Sequence, residues 1–291
     1  MKYAAIDIGT NAARLLVGEV VKQNGHSYVQ KVSYTRISLR LGFEVFTDGI
    51  IPTNKIQQLT KTIQAFKLIA EVYDVRKIRA CATSAMREAT NGTAVQQKIK
   101  NQTGINIEII NGAEEADIIF STFFLLAIDR ESPFIVIDVG GGSTEVSVFE
   151  EGKKIAGMSF SVGTIRLLKE KVHEHLWEQI NQWIKTNVDL STKYKVFGTG
   201  GNINKLHKLL NKRFMEPVKI KELNAFLSRL SEMTIEERMD KFLLKPDRAD
   251  VIVPACQIYS FIAKKLKCKQ LFVPKIGLSD GMIYDMHKKS L

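Results

Sequence analysis

Cysteine is scarce in this sequence, which has three such residues, Cys81, Cys256 and Cys268, among 291. Thiols this few and this scattered exclude a disulfide framework and a cysteine-rich zinc site. The five histidines form no ligand cluster, because His173 and His175 are two positions apart and would lie on different sides of a helix. We therefore expect a reducing, cytoplasmic location and no transition-metal chemistry.

Long hydrophobic runs and the signatures of nucleic-acid binding are also missing. No apolar stretch approaches the roughly 20 residues of a membrane-spanning helix. The first residues, Met1–Ala4, lead directly into a strand pattern rather than a signal peptide. The sequence has no helix-turn-helix, zinc-finger or aromatic-rich RNA-binding signature. We therefore expect neither a membrane nor a nucleic-acid partner.

Positive charge is in excess. The chain has 42 Lys and Arg against 31 Asp and Glu, a net charge of +11, with 45% hydrophobic and 25% charged residues. The length and composition are typical of a globular protein with two domains. The excess charge favours a polyanionic partner, such as polyphosphate or a highly phosphorylated nucleotide. A solvated basic surface in a basic proteome is the open alternative.

A glycine-rich hairpin is the most informative stretch. The apolar run from Ile135 ends at Asp138, the glycines Gly140–Gly142 follow, and an alternating segment to Val148 predicts the returning strand. A turn without side chains lets backbone N–H groups approach an anion closely, and phosphate is the usual one. A carboxylate at the strand end can hold a hard cation such as Mg²⁺ beside that anion.

The same pattern occurs near the N-terminus, where Asp7 takes the place of Asp138 before another glycine turn. Two such copies predict two related halves that face each other across a cleft. At one matched position the copies differ in charge, with Arg14 in the first and Glu145 in the second. A cation on one wall and a carboxylate on the other suit a phosphate substrate that needs a clamp and a metal or base. The alternative is a pair of unrelated hairpins.

Strands and helices alternate through the rest of the first half. Arg87, one turn into a helix that Ser84 can cap, could reach an anion near the helix N-terminus; a salt bridge to a neighbouring carboxylate is the alternative. The other predicted elements are strands over 2–8, 13–21 and 27–39, an Asn24-Gly25 hairpin turn, a helix from Pro52 and a strand over 77–81.

Two adjacent glutamates follow a strand predicted over 106–110. With Asn111 as the N-cap of a helix to about residue 129, Glu114 falls at the third helical position, where its side chain reaches back to the cap. Glu115 points elsewhere, at the junction of the two halves, and is the candidate base that activates water. We expect a hinge in this helix.

The second half repeats the plan of the first. A strand over 193–197 enters a turn in which Gly200 and Gly201 form another phosphate or nucleotide cradle. The next helix presents Lys205, Lys208 and Lys212 on one basic face, which either guides a polyanion or is solvated. The other predicted elements are strands over 134–139, 144–150 and 153–161, helices over 175–188 and 219–245, and a last helix from Gly277.

These motifs together resemble the exopolyphosphatase/guanosine pentaphosphate phosphatase family, in the family's order and over nearly the whole chain. The matching stretches are Asp7–Asn11 with Arg14, Thr83–Ala89, Asn111–Ala116, Asp138–Glu145, Gly198–Gly201 and Arg248–Pro254. The resemblance implies an α/β fold of two actin-like, ribonuclease-H-like domains with a cleft between them. It also implies stepwise hydrolysis of a terminal phosphoanhydride, in inorganic polyphosphate or in guanosine pentaphosphate.

The resemblance also assigns roles to single residues. In the family the second glutamate of the pair is the catalytic base, which corresponds to Glu115. Asp138 and Glu145 are implied to assist through Mg²⁺ and water, with Asp7 as a further metal ligand. The implied phosphate-binding residues are Gly9, Thr10, Asn11, Arg14, Arg87, Gly140, Gly141, Gly142, Ser143, Gly200 and Gly201.

We expect one domain over residues 1–125 and another over 126–291, with the last helix, about 276–291, packed back on the first. Two substitutions depart from the family: Ala12 stands where a hydroxyl residue is common, and Ser279 stands where an arginine is typical. The sequence stops at residue 291, without the helical domains of the long members, which favours short polyphosphate as substrate.

Three other functions stay open beside exopolyphosphatase activity. One is hydrolysis of guanosine pentaphosphate. Another is phosphotransfer, because sugar kinases of the same superfold share the Asp-x-Gly-Thr start; the Glu-Glu pair favours water as the acceptor. The third is a regulator that binds an alarmone or polyphosphate without catalysis, which the presence of Glu115, Asp138 and Glu145 disfavours. The sequence also leaves a homodimer open.

Overall fold

The computed structural model describes residues 1–23, 26–126, 129 and 131–291. The turn predicted at Asn24-Gly25 therefore lies outside the described residues. The chain divides into two compact units: unit 1 comprises Met1–Ile128 and Ile276–Leu291, and unit 2 comprises Asp129–Lys275. Each unit is built around its own mixed β-sheet.

Unit 1 contains five strands: β1 (Lys2–Ile8), β2 (Ala12–Gln23), β3 (His26–Ser38), β4 (Lys77–Ala82) and β5 (Ile107–Ile109). Their order in the sheet is β3-β2-β1-β4-β5. The first three strands pair antiparallel, whereas β4 and β5 reach the sheet after helices and run parallel to β1.

Helices cover this sheet, and their apolar faces form the core of unit 1. Leu59, Ile63 and Phe66 have helical spacing, are fully buried, and join the same core as Ile6 and Ile8 of β1. The helices are α1 (Gly42–Asp48), α2 (Thr53–Val72), α3 (Ser84–Glu88), α4 (Gly92–Thr103) and α5 (Gly112–Ser121).

The helix that begins after Asn111 is shorter than predicted. It ends at Ser121 and passes into a 3₁₀ turn over Thr122–Leu125. The hydroxyl of Thr122 donates to the carbonyl of Ile119 at 2.6 Å, and the next residue after the turn, Leu126, is extended. The predicted continuation to residue 129 is therefore wrong, because the chain tightens and turns away where this side chain takes up a helical carbonyl.

Unit 2 repeats the arrangement on a four-stranded sheet. Its strands are β6 (Phe134–Val139), β7 (Thr144–Glu150), β8 (Lys153–Phe160) and β9 (Lys195–Thr199). The order is β8-β7-β6-β9, with β6, β7 and β8 antiparallel and β9 parallel to β6. A separate antiparallel pair is formed by β10 (Val218–Lys219) and β11 (Gln270–Leu271).

The helices of unit 2 pack on this sheet. They are α6 (Thr164–Leu168), α7 (Glu174–Asn187), α8 (Gly201–Leu209), α9 (Ile220–Ser231), α10 (Ile235–Phe242), α11 (Pro246–Ala249) and α12 (Ile252–Lys265). Among the described residues, none of the helices has both the length and the apolar character that crossing a bilayer requires.

The single helix predicted over residues 219–245 is two helices. Thr234 begins the second one with a capping box: its Oγ1 accepts the N–H of Glu237 at 3.2 Å, and the carboxylate of Glu237 accepts the N–H of Thr234 at 2.7 Å. The Thr-x-x-Glu signature was present in the sequence and predicts this boundary.

The internal repeat is confirmed by strand register. Asp7 pairs with Arg14 across β1 and β2, and Asp138 pairs with Glu145 across β6 and β7. Both hairpins continue into a third antiparallel strand, and both sheets add a parallel strand next to the acidic one. The α/β class with two related sheets is therefore as the sequence predicted.

The last helix, α13 (Leu278–Lys288), belongs to unit 1. It packs against α5, β1 and β2, and its buried side includes Leu278, Met282, Ile283 and Met286. The end of the chain therefore contributes to the core of the unit with which the chain begins.

An aromatic cluster in unit 2 provides a test of this packing. Phe134 stacks on Phe149, with ring centroids 4.7 Å apart, and meets Phe197 edge-on at 5.8 Å. We expect Phe134→Ala to lower the free energy of unfolding by about 3–5 kcal/mol, because it leaves a cavity in a buried core. Urea unfolding followed by circular dichroism measures the change.

The matched control is Phe214→Ala, since Phe214 lies in the same unit with 62% of its surface exposed. We expect that variant to stay within about 0.5 kcal/mol of the wild type. Equal losses at the two positions would contradict the assignment of Phe134 to the core.

Candidate functional site

In the glycine turn of unit 2, the backbone carbonyls accept hydrogen bonds from other residues of the same unit. The turn is closed by the N–H of Gly140, which donates to the carbonyl of Ser143 at 2.9 Å. The carbonyls of Gly140–Gly142 accept from the N–H groups of Thr164 and Ile165, at 3.1 and 2.8 Å, and from Nε of Arg166 at 2.6 Å. Because the carbonyls are engaged on the protein side, the amides of the turn are the groups that can serve an anion.

Two carboxylates lie side by side at the base of this turn. Asp138 and Glu145 are direct partners across the antiparallel strands, and an oxygen of each lies within 4.8 Å of the other. Glu145 is 4% exposed, and Asp138 is half-buried. Ser159, the partner of Glu145 on β8, donates its hydroxyl to Oε1 of Glu145 at 2.7 Å. Like charges directly opposite each other destabilise a sheet, and carboxylate oxygens this close could hold a metal ion.

The other side of Asp138 is closed by the second glycine turn. Thr199 is the register partner of Asp138 on β9, and its carbonyl accepts the phenol O–H of Tyr259 at 2.5 Å. A Cβ at Gly200 would lie 2.6 Å from Oδ1 of Asp138, and the φ of Gly200 is +98°, so only glycine fits here. Burial raises the pKa of Tyr259 well above its ordinary value, and the charge of Asp138 adds to the effect.

Cationic side chains gather near the same turn. Nη1 of Arg248 donates to Oδ1 of Asn202 at 2.7 Å, and its guanidinium packs against Gly201. Burial lowers the pKa of Lys205, and the charges of Lys208 and Arg248 lower it further. These groups therefore form a positive surface beside Gly200 and Gly201.

Lys212 does not belong to this surface. The helix ends at Leu209, and the ammonium of Lys212 pairs with Glu216 at 3.2 Å and with Glu222 at 3.0 Å. The predicted basic face of three lysines on one helix is therefore wrong, because the third lysine lies beyond the helix and is neutralised by two carboxylates.

The glycine turn of unit 1 has the same construction. The N–H of Gly9 donates to the carbonyl of Ala12 at 3.1 Å, and the carbonyl of Asn11 accepts the N–H of Arg40 at 2.9 Å. The hydroxyls of Thr10 and Ser84 share a hydrogen bond of 2.9 Å. The prediction that Ser84 caps its helix is wrong: Thr83 occupies the N-cap position, and the hydroxyl of Ser84 bonds to Thr10 instead.

The acidic residue of this turn has a different partner from its counterpart in unit 2. Nη1 of Arg14 lies 2.7 Å from Oδ2 of Asp7, and both side chains are largely buried. The charge of Asp7 is therefore balanced within its own hairpin. In unit 2 the matching position is Glu145, so the two register partners there carry charge of the same sign.

The two adjacent glutamates of unit 1 have different surroundings. The side chain of Asn111 accepts the N–H groups of Ala113 and Glu114, and the carboxylate of Glu114 accepts the N–H of Asn111 at 2.9 Å. The predicted capping role of Glu114 is confirmed. Glu115 is half-buried in the first turn of the same helix.

Arg87 lies beside the start of that helix. Its Nη1 donates to the carbonyl of Ile110 at 2.7 Å. This contact is not the salt bridge considered as the alternative. One of its guanidinium nitrogens thus supports the segment that leads into the helix of Glu115.

None of the three cysteines is an activated nucleophile. Burial raises the pKa of Cys81 and of Cys256 to about 12 and that of Cys268 to about 11. These thiols stay protonated near neutral pH, whereas thiolate chemistry needs a lowered pKa. Their raised pKa values and their burial do not favour a cysteine nucleophile.

Three groups around Asp138 and Glu145 were missed at the level of sequence: Ser159, Thr199 and Tyr259. Strand register indicates two of them. Glu145 pairs with Ser159 on the antiparallel strand β8, and Asp138 pairs with Thr199 on the parallel strand β9. Tyr259 has no such signal, because its helix, α12, is distant in sequence and its contact depends on tertiary packing.

Comparison with known proteins agrees with this description. The model of the Ppx/GppA phosphatase family matches residues 19–290. Exopolyphosphatase 2 of Mycobacterium tuberculosis is 26% identical, with 97% of each chain covered. The bifunctional 3-dehydroquinate synthase/phosphatase of Fusobacterium nucleatum is 28% identical; the match covers 86% of this chain and 41% of that relative.

A solved structure extends the agreement to the fold. The exopolyphosphatase from Cytophaga hutchinsonii superposes with a TM-score of 0.83 at 22% identity, covering 99% of this chain and 98% of that one. At 22% identity this likeness shows a shared fold and no more. Membership of the family is shown by the family model, which spans nearly the whole chain. The chain therefore belongs to the Ppx/GppA phosphatase family.

Proposed function

We propose that this protein is an exopolyphosphatase, which hydrolyses the terminal phosphoanhydride of short inorganic polyphosphate and releases phosphate. The observation that supports it best is the like-charged pair of Asp138 and Glu145 at the base of a glycine turn with amides suited to an anion. The relatives from M. tuberculosis and C. hutchinsonii bear the name exopolyphosphatase. The net charge of +11 suits a polyanionic substrate.

Mg²⁺ is the cofactor in this proposal, and the residues present fit it. Asp138 and Glu145 offer hard carboxylate oxygens, the ligands that Mg²⁺ prefers. When bound, the ion would neutralise charge on the terminal phosphate and polarise its oxygens. Asp7 is balanced by Arg14 in its own hairpin, so we assign the ion to the pair in unit 2, and Asp7 as a metal ligand stays a prediction.

The phosphate is held by backbone amides in this proposal. The N–H groups of Gly141, Gly142 and Ser143 donate to its oxygens, since the carbonyls of that turn are engaged elsewhere. The equivalent turn of unit 1, Gly9–Asn11, with Arg14 and Arg87, also binds phosphate in this proposal. Gly200 and Gly201 serve the next phosphates of the chain, beside the positive surface formed with Arg248.

The attacking group is water, and Glu115 is its base. Glu115 accepts the proton as the water oxygen bonds to the terminal phosphorus and the bridging P–O bond breaks. The products are phosphate and a chain shorter by one phosphate. Most of the rate gain comes from orientation and charge stabilisation, because phosphoryl transfer requires little covalent chemistry from the protein.

Guanosine pentaphosphate is the second candidate substrate. It presents the same terminal anhydride, and the positive surface beside Gly200, with Lys205, Lys208 and Arg248, could take the remaining phosphates of a nucleotide. Hydrolysis at Asp138 and Glu145 would proceed in the same way.

The role of Glu115 is tested by Glu115→Gln. We expect turnover to fall by about 10²–10⁴-fold, since an amide cannot accept the proton of water. Calorimetric binding of short polyphosphate should persist. Glu114→Gln is the matched control, because the amide oxygen still accepts the N–H of Asn111 and the cap is kept. Wild-type turnover in Glu115→Gln would refute the assignment of the base.

The substrate is tested by phosphate release from polyphosphates of graded length and from guanosine pentaphosphate, with and without Mg²⁺. We expect Mg²⁺-dependent release, fastest from short polyphosphate, because the proposed site holds only the terminal phosphoryl group and the next phosphates, at Gly200 and Gly201. Faster release from the pentaphosphate would favour the second candidate. Formation of ATP when ADP is added would indicate phosphotransfer, and binding without release would indicate a regulator.

A further inference from the structure

Helix α13 contacts α5 backbone to backbone at Gly281. A Cβ on Gly281 would lie 2.1 Å from the carbonyl oxygen of Ile118, 2.8 Å from its carbonyl carbon and 2.7 Å from its Cγ2. Side chains do not approach this closely, so glycine alone permits the observed spacing of the two helices. The nearest of these atoms, the carbonyl oxygen, belongs to the main chain and cannot move aside by a change of rotamer.

Ion pairs to the sheet fix α13 in place. The carboxylate of Asp280, 5% exposed, lies 2.9 Å from the ammonium of Lys31 on β3. One turn further along, Asp285 lies 3.1 Å from Nη1 of Arg79 on β4. Two anchors on different strands prevent the helix from sliding or rotating without loss of a charged contact.

The segment before α5 is held as well. Arg79 also pairs with Glu108 of β5 at 2.8 Å, and Arg87 donates to the carbonyl of Ile110 at 2.7 Å. The start of α5 is thus tied to the sheet, and one side of the helix rests on Gly281.

Glu115 lies three residues before Ile118 on this helix, which places the two on neighbouring sides of one turn. A helical turn moves as a unit, so a displacement at Ile118 displaces the carboxylate of Glu115. We infer that Gly281 is a positioning residue for Glu115: its missing side chain sets the distance between α13 and α5, and with it the location of the carboxylate. The inference rests on the proposed function, in which Glu115 is the base.

Gly281→Ala adds one methyl group at this contact. We expect kcat to fall by about 10–100-fold, since a displacement near 1 Å is enough to misalign a base. The affinity for short polyphosphate, measured by calorimetry, should stay near the wild-type value. The matched control is Gly277→Ala at the start of the same helix, where a Cβ meets nothing within 4 Å. That variant should keep wild-type kcat.

A double-variant cycle separates positioning from general damage. If Gly281 acts through Glu115, then Gly281→Ala should slow the wild type but cause no further loss in the Glu115→Gln background. Equal losses in both backgrounds, or wild-type kcat in Gly281→Ala, would overturn the inference and leave the proposed function intact. Wild-type turnover in Glu115→Gln would instead overturn the assignment of the base, on which the inference rests.

Asp280→Asn provides a second variant that adds no volume, in case Gly281→Ala does not fold. It keeps the acceptor for the N–H of Gly277, at 3.1 Å, and removes the charge that pairs with Lys31. We expect a lower kcat with unchanged polyphosphate affinity, again without further loss in Glu115→Gln. Wild-type kcat in Asp280→Asn, with faster hydrogen exchange in α13 showing that the anchor was released, would contradict the positioning role.

Discussion

The pair of carboxylates on β6 and β7 is the constraint on which the account depends. Strand register makes Asp138 and Glu145 direct neighbours, and oxygens within 4.8 Å would repel by about 3 kcal/mol at an effective dielectric constant of 20. Ser159 donates a hydrogen bond to Glu145 and relieves part of this repulsion. In the proposed function, a divalent cation held by the two carboxylates would offset this repulsion.

The comparison of the two hairpins shows how a repeated element acquires separate roles. In unit 1 the acidic residue, Asp7, is matched by Arg14, and the hairpin is balanced. In unit 2 the same register position is Glu145, and negative charge accumulates. The two hairpins therefore differ in charge sign at one register position, Arg14 in unit 1 and Glu145 in unit 2. The backbone of the two turns is otherwise built alike, with the first glycine N–H closing the turn in each.

Sequence reasoning reached the parts of the site that depend on local rules. The alignment of Asp7 with Asp138 followed from a repeated pattern, and the cap by Glu114 followed from helix chemistry, which left Glu115 as the glutamate not used in capping. The contact of Gly281 with Ile118 joins segments far apart in the chain, so no local pattern indicates it. The hydrogen bond from Tyr259 to the carbonyl of Thr199 could not be predicted for the same reason, since it also joins distant segments. Lys212 was misplaced because the stop signal was overlooked: Asn211 takes a φ of +53°, and the N–H of Lys212 donates to the carbonyl of His207 at 3.1 Å, which ends the helix before Lys212.

The most direct test of the central claim is calorimetric titration of Mg²⁺ into the metal-free protein, combined with thermal unfolding, for the wild type and for the double variant Asp138→Asn, Glu145→Gln. We expect Mg²⁺ to bind to the wild type and to raise its melting temperature. We expect the double variant to bind no Mg²⁺ and to melt at a higher temperature than the metal-free wild type, because the repulsion is gone. Equal Mg²⁺ affinity in the two proteins would contradict the central claim.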